Sequence, residues 1–219
     1  MSFLSQIKQA KKTSFQALSL KTALKNQVLL DLQGLLKENQ EKILKANKQD
    51  ILNAEKEEQG KAFIDRLTLN SDRFAALIES LKTIVGLKDP IGEKFEDKIL
   101  KNGMKLYKIR IPIGVILIIY EARPNVTIDA FALCFKSSNV CLLKGGSFAR
   151  QTNLILTEVI QEALSKNMLS SGYCQYLDLP KREDLSELLK HEELIDLVIP
   201  RGGESLIRTV VEQSRIPVI

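Results

Sequence analysis

Histidine and cysteine are scarce in this sequence of 219 residues, which contains one histidine, His191, and three cysteines, Cys134, Cys141 and Cys174. Because there is only one histidine, and it lies among charged residues, a Ser-His-Asp triad and a multi-histidine metal site are nearly excluded. The cysteines are odd in number and lack CxxC spacing, which argues against a disulfide framework or a zinc site. The sequence therefore predicts a cytoplasmic protein without metal, in which the cysteines belong to the core and none is a nucleophile.

Long apolar runs are also missing. The strongest run, Val115–Tyr120, is far too short to span a bilayer, and the first residues lack the apolar segment of a secretion signal. The net charge is +5, from 32 basic and 27 acidic residues, and most lysines alternate with acidic residues. Solvated helix faces show this pattern, whereas nucleic-acid binding needs basic residues on one face. We expect neither membrane nor nucleic acid as a partner.

The periodicity of the apolar residues divides the chain into three parts. Residues 1–96 show helical spacing, with the clearest stripe between Phe74 and Val85 after the capping run Asn70-Ser71-Asp72. Residues 97–111 alternate around Asn102-Gly103, which predicts a β-hairpin. A hairpin is rarely stable alone, so this one should pack either on its own domain or in a sheet between subunits.

Residues 112–219 form a repeating strand–helix pattern. The predicted strands are Val115–Tyr120, Val140–Leu143, Tyr173–Leu177, Ile195–Ile199 and Ile216–Ile219. The predicted helices are Val126–Phe135, Phe148–Ser165, Asp184–Lys190 and Glu204–Glu212. Such alternation is typical of a parallel sheet with right-handed crossovers. The predicted fold class is therefore α/β, with a Rossmann-like parallel sheet. Because the last predicted strand has no helix after it to cover the sheet, we expect the sequence to be truncated.

Three predicted strand ends contain unusual residues: Tyr120–Asn125 (YEARPN), Lys144–Ser147 (KGGS) and Pro200–Gly203 (PRGG). Ligands bind beyond the carboxyl ends of strands in an open parallel sheet. Glycine pairs leave N–H groups near a helix start, and an adjacent cation supplies charge for phosphate. The two common nucleotide-binding motifs, GxGxxG and GxxxxGK(S/T), are both absent from these loops. Two Gly-Gly turns favour a nucleotide, although each turn alone could serve only to reverse the chain.

The same segments, together with Ile64–Leu69, Asp89–Gly92 and Ser214–Ile219, closely resemble the γ-glutamyl-phosphate reductases, a branch of the aldehyde dehydrogenase superfamily. The resemblance runs in order from about Ile64 to the end. It implies NADPH-dependent reduction of L-glutamyl 5-phosphate to glutamate 5-semialdehyde in proline biosynthesis. It also implies a homodimer or higher oligomer, with the hairpin as the contact, and a possible association with glutamate 5-kinase.

The resemblance further implies roles for individual residues. Asn125 matches the side-chain donor to the oxyanion, although an asparagine here could also cap the following helix. Arg123 could hold an anionic substrate. Lys144 matches the lysine at the adenosine ribose, and Ser147 replaces a glutamate that would repel a 2′-phosphate, which favours NADP(H). The remaining cofactor-binding residues implied are Gly145, Gly146, Arg201, Gly202 and Gly203.

One departure from the family matters. The nucleophilic cysteine of the family lies beyond the final strand segment, in a separate catalytic domain, and none of the three cysteines here matches it. We therefore expect this chain to be an amino-terminal portion that is inactive alone. Two alternatives stay open at this point: a short nucleotide-binding or oligomerisation module without catalysis, and a related dehydrogenase with another acyl substrate.

Overall fold

The amino-terminal part is helical in the computed structural model, which describes residues 2–179 and 181–219. The helices are α1 (Phe3–Ala17), α2 (Thr22–Glu38), α3 (Gln40–Lys56), α4 (Lys61–Leu67) and α5 (Ser71–Gly86). The predicted cap of α5 is present, because the Asn70 side chain accepts a hydrogen bond from the Arg73 N–H at 2.9 Å. Apolar faces of α1, α2 and α5 join the sheet in one core.

A two-stranded antiparallel hairpin follows, formed by β1 (Lys94–Ile99) and β2 (Lys105–Ile109). Gly103 in its turn has φ 83°, a conformation that glycine adopts without strain. The hairpin begins three residues before the predicted boundary at 97. A register shift between Phe95 and Lys98 accompanies φ 55° at Glu96, and this bulge has no signal in the alternating pattern. Every residue of both strands is exposed.

The main sheet contains β3 (Val115–Tyr120), β4 (Val140–Lys144), β5 (Cys174–Tyr176) and β6 (Leu197–Arg201). Its order is β5-β4-β3-β6, and the strands are parallel. The helices of this part are α6 (Asn125–Lys136), α7 (Arg150–Lys166), α8 (Arg182–Leu188) and α9 (Glu204–Gln213). The predicted α/β class is confirmed. The strand expected at Ile216–Ile219 is reduced to one parallel bridge between Val218 and Val198.

The central strand β3 is completely buried, as expected of a strand covered on both faces. Strand β6 begins two residues later than predicted, because the Asp196 side chain binds the start of β3 and a lysine of α1. Its Oδ2 accepts the Val115 N–H at 2.8 Å, and its Oδ1 lies 2.7 Å from Lys11 Nζ. Asp196 thus ties α1 to the start of β3. Among the residues described, no helix combines the length and apolarity needed to cross a membrane.

Candidate functional site

The three unusual strand ends meet at one edge of the sheet. Parallel pairing with β3 sets Lys144 opposite Ile119 and Arg201 opposite Tyr120. The turn after β3 therefore lies between the turns after β4 and β6, as expected for the carboxyl ends of neighbouring parallel strands. Three cavities open along this edge. We name them the lysine cavity, the glycine cavity and the asparagine cavity.

The lysine cavity has a volume of ≈ 590 Å³. It is lined by Lys144, Gly145, Ser147, Arg150, Tyr176, Leu177, Asp178, Leu179, Lys181 and Leu185. Lys144 Nζ donates a hydrogen bond to the Gly145 carbonyl at 3.2 Å. Burial lowers the pKa of the Lys144 ammonium, and the nearby Asp178 carboxylate opposes that shift. A half-buried cation with one weak partner is a favourable place for an anion.

An ion pair that the sequence pattern did not predict lies at the edge of the lysine cavity. Arg150 Nε donates to Asp178 Oδ1 at 2.9 Å, and this hydrogen bond lowers the pKa of the Asp178 carboxyl. The pair neutralises a carboxylate that would otherwise oppose an anionic ligand. Asp178 comes directly after a predicted strand, and that position is the signal that could have identified it.

Gly145 is required by the protein interior. A Cβ at Gly145 would collide with Asn153 Nδ2 and would lie 3.1 Å from Tyr120 Cζ. Both side chains are fixed by buried hydrogen bonds with Thr127. The Tyr120 hydroxyl lies 2.7 Å from Thr127 Oγ1, and Thr127 Oγ1 donates to Asn153 Oδ1 at 2.9 Å. This packing holds the backbone turn that directs Lys144 into the lysine cavity.

The glycine cavity has a volume of ≈ 260 Å³ and lies between the turns after β3 and β6. It is lined by Arg66, Tyr120, Glu121, Ala122, Arg123, Val126, Arg201, Gly202 and Gly203. The Gly203 N–H, directly before α9, donates to Glu121 Oε1 at 3.2 Å. A Cβ at Gly202 would lie 2.7 Å from Glu121 Cδ. The PRGG turn therefore presents backbone N–H groups to an acceptor, and a carboxylate accepts one of them here.

The asparagine cavity has a volume of ≈ 440 Å³. Its polar lining comprises Asp65, Arg66, Thr68, Arg73, Ser80, Arg123, Asn125 and Asp129. Asn125 Nδ2 donates to Asp129 Oδ2 at 3.0 Å, and Ser80 Oγ donates to Asp129 Oδ1 at 3.0 Å. The alternative in which Asn125 caps the following helix is wrong. Helix α6 begins at Asn125, one residue earlier than predicted, and its cap position is Pro124, which makes no side-chain capping bond.

The three cysteines lie in the core. Cys134, Cys141 and Cys174 are all buried and unpaired. Burial raises the pKa of the Cys141 thiol, and a hydrogen bond with Cys141, followed by burial, raises the pKa of Cys134. The Cys134 and Cys141 thiols therefore stay protonated and are poor nucleophiles. Across residues 2–179 and 181–219, the His, Cys, Asp and Glu side chains form no group of three or more that could hold a metal ion.

Comparisons with known proteins agree with this geometry. The sequence matches the profile described as the aldehyde dehydrogenase family over residues 5–218. It is 45% identical over 216 residues to the γ-glutamyl phosphate reductase of Thermodesulfovibrio yellowstonii, covering 99% of this chain and 52% of that protein. The chain spans about half the length of the curated relatives it matches.

Solved structures show the same similarity. The crystal structure of the γ-glutamyl phosphate reductase from Thermotoga maritima superposes with a TM-score of 0.95 at 33% identity, covering 100% of this chain and 53% of that one. An engineered glycolyl-CoA reductase with bound NADP+ superposes with a TM-score of 0.72 at 15% identity, covering 100% of this chain and 46% of that one. The second likeness shows the shared fold.

Proposed function

The chain belongs to the aldehyde dehydrogenase family, and from this premise we propose that it is the NADP(H)-binding portion of a γ-glutamyl-phosphate reductase. The proposed reaction of the whole enzyme is NADPH-dependent reduction of L-glutamyl 5-phosphate to L-glutamate 5-semialdehyde, with release of phosphate, in proline biosynthesis. The observation that supports it most strongly is the meeting of the YEARPN, KGGS and PRGG turns at one sheet edge. The names and similarity of the full-length relatives point to the same reaction.

The lysine cavity fits the adenosine 2′-phosphate half of NADP(H). Its volume of ≈ 590 Å³ lies within the usual range for small-ligand sites. Lys144 supplies a half-buried cation, Ser147 supplies a hydroxyl without charge, and Asp178 is neutralised by Arg150. The PRGG turn, with Arg201, Gly202 and Gly203, would hold the pyrophosphate, and Gly146 would let the cofactor approach the turn after β4.

Asn125 is proposed to stabilise the oxyanion. One N–H of its amide is fixed on Asp129, which Ser80 holds from the other side. The second N–H is thereby aimed from a rigid amide, and an amide donates at any pH at which the fold is stable. When bound, the reduced nicotinamide supplies the hydride. Because Cys134, Cys141 and Cys174 are buried, none of them is proposed as the acyl-accepting thiolate.

Replacing Lys144 with alanine tests the cofactor assignment. We expect Lys144→Ala to weaken NADPH binding at least about tenfold, because a charged hydrogen bond to the 2′-phosphate is lost. NADH lacks that phosphate, so its affinity should change less than about twofold. Isothermal titration calorimetry measures both, with Lys101→Ala at the exposed hairpin turn as the control that removes the same charge elsewhere. Equal losses for both cofactors would contradict the 2′-phosphate role.

We propose that the exposed hairpin joins two copies of the chain. Its apolar residues Ile99 and Leu106, and Ile111 beyond it, are 76%, 53% and 72% exposed, which is unusual for a soluble strand pair. Sedimentation velocity should give a dimer for the wild type and a monomer for Ile99→Lys/Leu106→Lys. An unchanged dimer in that variant would refute the hairpin contact.

Association with glutamate 5-kinase stays a proposal from the family resemblance. In sedimentation velocity, a mixture of the two proteins should then show a boundary that sediments faster than either protein alone.

A further inference from the structure

Two arginines are shared by two of the cavities. Arg66 and Arg123 line both the glycine cavity and the asparagine cavity. They therefore lie between the cavity that contains the Asn125 amide and the cavity that contains the glycines of the PRGG turn. Arg123 is two residues from Asn125 on the same turn, whereas Arg66 belongs to α4 and comes from a distant part of the chain.

The carboxylates of these two cavities are already engaged. Asp65 Oδ1 lies 2.7 Å from Arg73 Nη2 in an ion pair. Asp129 accepts the hydrogen bonds of Ser80 and Asn125, and Glu121 accepts the Gly203 N–H. No carboxylate of either cavity therefore pairs with Arg66 or Arg123.

Among the described residues, Arg66 and Arg123 are the available cations that line both cavities, whereas Arg201 lines the glycine cavity alone. Within residues 2–179 and 181–219, neither side chain takes part in a hydrogen bond or an ion pair. Arg73, in contrast, is held by Asp65 and by the Thr68 carbonyl at 2.9 Å. Two unpartnered guanidinium groups beside a common space form a site for an anion, and their planar forks match phosphoryl oxygens.

The backbone around Arg66 is held in place by a buried asparagine of α3. Asn47 is buried, and its Nδ2 donates to the Leu67 carbonyl at 2.9 Å while its Oδ1 accepts the Leu69 N–H at 2.7 Å. Arg123 is likewise flanked by the buried residues Ala122 and Pro124. Both guanidinium groups thus extend from fixed backbone, which lowers the entropy lost when an anion binds.

We propose that Arg66 and Arg123 together bind the phosphoryl group of the acyl-phosphate substrate. This inference rests on the proposed function, and it names Arg66 as a binding residue. In an acyl phosphate one bridging oxygen joins the phosphoryl group to the carbon that carries the carbonyl oxygen. A carbonyl oxygen held by the Asn125 amide therefore places the phosphoryl group within the cavity that Arg66 and Arg123 line.

The competing ligand for the same arginines is the pyrophosphate of the cofactor, because the glycine cavity also contains Arg66. The two sources of phosphate can be separated by titrating inorganic phosphate with and without saturating NADP+. A substrate site predicts that phosphate binds equally well in both titrations. Displacement of phosphate by NADP+ would assign the arginines to the cofactor and overturn the proposal.

The variants Arg66→Gln and Arg123→Gln complete the test. Each should weaken phosphate binding about tenfold, measured by ³¹P NMR line broadening, and leave the NADPH affinity within about twofold. Arg66→Lys should fall between, since it keeps the charge and loses the fork. Arg215→Gln, which removes an exposed guanidinium outside the three cavities, should bind phosphate as the wild type does.

The outcomes separate this inference from the proposed function. Phosphate binding unchanged in Arg66→Gln, or no saturable phosphate binding by the wild type, overturns the phosphoryl site even if NADPH binds normally. The opposite outcome is a protein that binds phosphate through both arginines but does not bind NADPH. That outcome would support the phosphoryl site and contradict the cofactor assignment.

Discussion

Asp89→Ala is expected to lower the free energy of unfolding by about 3 kcal/mol, because it leaves a buried lysine without its counter-ion. The Lys25 side chain is 1% exposed and that of Asp89 12%, and the two form an ion pair. Lys25 Nζ also donates to Ser138 Oγ at 2.9 Å, a bond that cannot balance a buried charge. Urea unfolding followed by circular dichroism measures the change.

The reason for so large an effect is the position of Asp89. Its carboxylate also accepts the Thr22 hydroxyl at 2.7 Å and the Ile91 N–H at 3.1 Å. It therefore joins α2 to the segment that leads into the hairpin. Glu158→Ala is the matched control, since the Lys42–Glu158 pair is more than half exposed and should contribute less than about 1 kcal/mol. Similar losses of stability for the two variants would show that burial does not strengthen the Lys25–Asp89 pair.

The Asp89 effect should depend on pH with a defined sign. Burial alone would raise the pKa of the Asp89 carboxyl, but the hydrogen bonds from Lys25, Thr22 and the Ile91 N–H outweigh it, and the pKa lies below its ordinary value. A depressed pKa stabilises the fold above the unfolded-state pKa, and this contribution is lost as the pH falls through the folded-state pKa. The difference in the free energy of unfolding between the wild type and Asp89→Ala should therefore become smaller as the pH falls.

Gly145→Ala is expected to lower the free energy of unfolding by about 2 kcal/mol and to weaken NADPH binding about tenfold. The added methyl group collides with Asn153, a fully buried side chain fixed by Thr127, so the turn must move. Movement of the turn displaces Lys144 from the lysine cavity.

Gly34→Ala provides the control for Gly145→Ala. Gly34 lies inside α2, and a Cβ there meets no atom within 4 Å. Alanine is favoured over glycine inside a helix by about 1 kcal/mol, so this variant should be slightly more stable than the wild type and bind NADPH equally well. If Gly145→Ala had the same free energy of unfolding and the same NADPH affinity as the wild type, the proposed support of the turn by the protein interior would be wrong.

Much of the fold was accessible from the sequence because its signals are local. The continuous apolar run Val115–Tyr120 indicated a strand buried on both faces, and Asn102-Gly103 indicated the hairpin turn. The parallel order then brought the YEARPN, KGGS and PRGG turns to one edge. The bulge at Glu96 and the reduced strand at Ile216–Ile219 were not predictable, because pairing partners decide them and the pattern of a single strand does not.

The candidate site was only partly accessible. The Asn125–Asp129 contact follows i,i+4 spacing on a helix and could have been predicted from the sequence. Arg66 could not, because its place beside Arg123 depends on Asn47 holding the chain on both sides of α4's end. The position of Asp178 directly after a strand was a signal, but its pairing with Arg150 at the start of α7 was not predictable, because the two residues are distant in sequence.

We propose above all that the carboxyl edge of this sheet binds NADP(H). Calorimetric titration of NADPH and NADH into the unmodified chain tests it most directly. We expect saturable binding of one NADPH per chain, with NADH bound more weakly because it lacks the 2′-phosphate that Lys144 is proposed to contact. Absence of saturable NADPH binding, or tighter binding of NADH, would contradict the proposal.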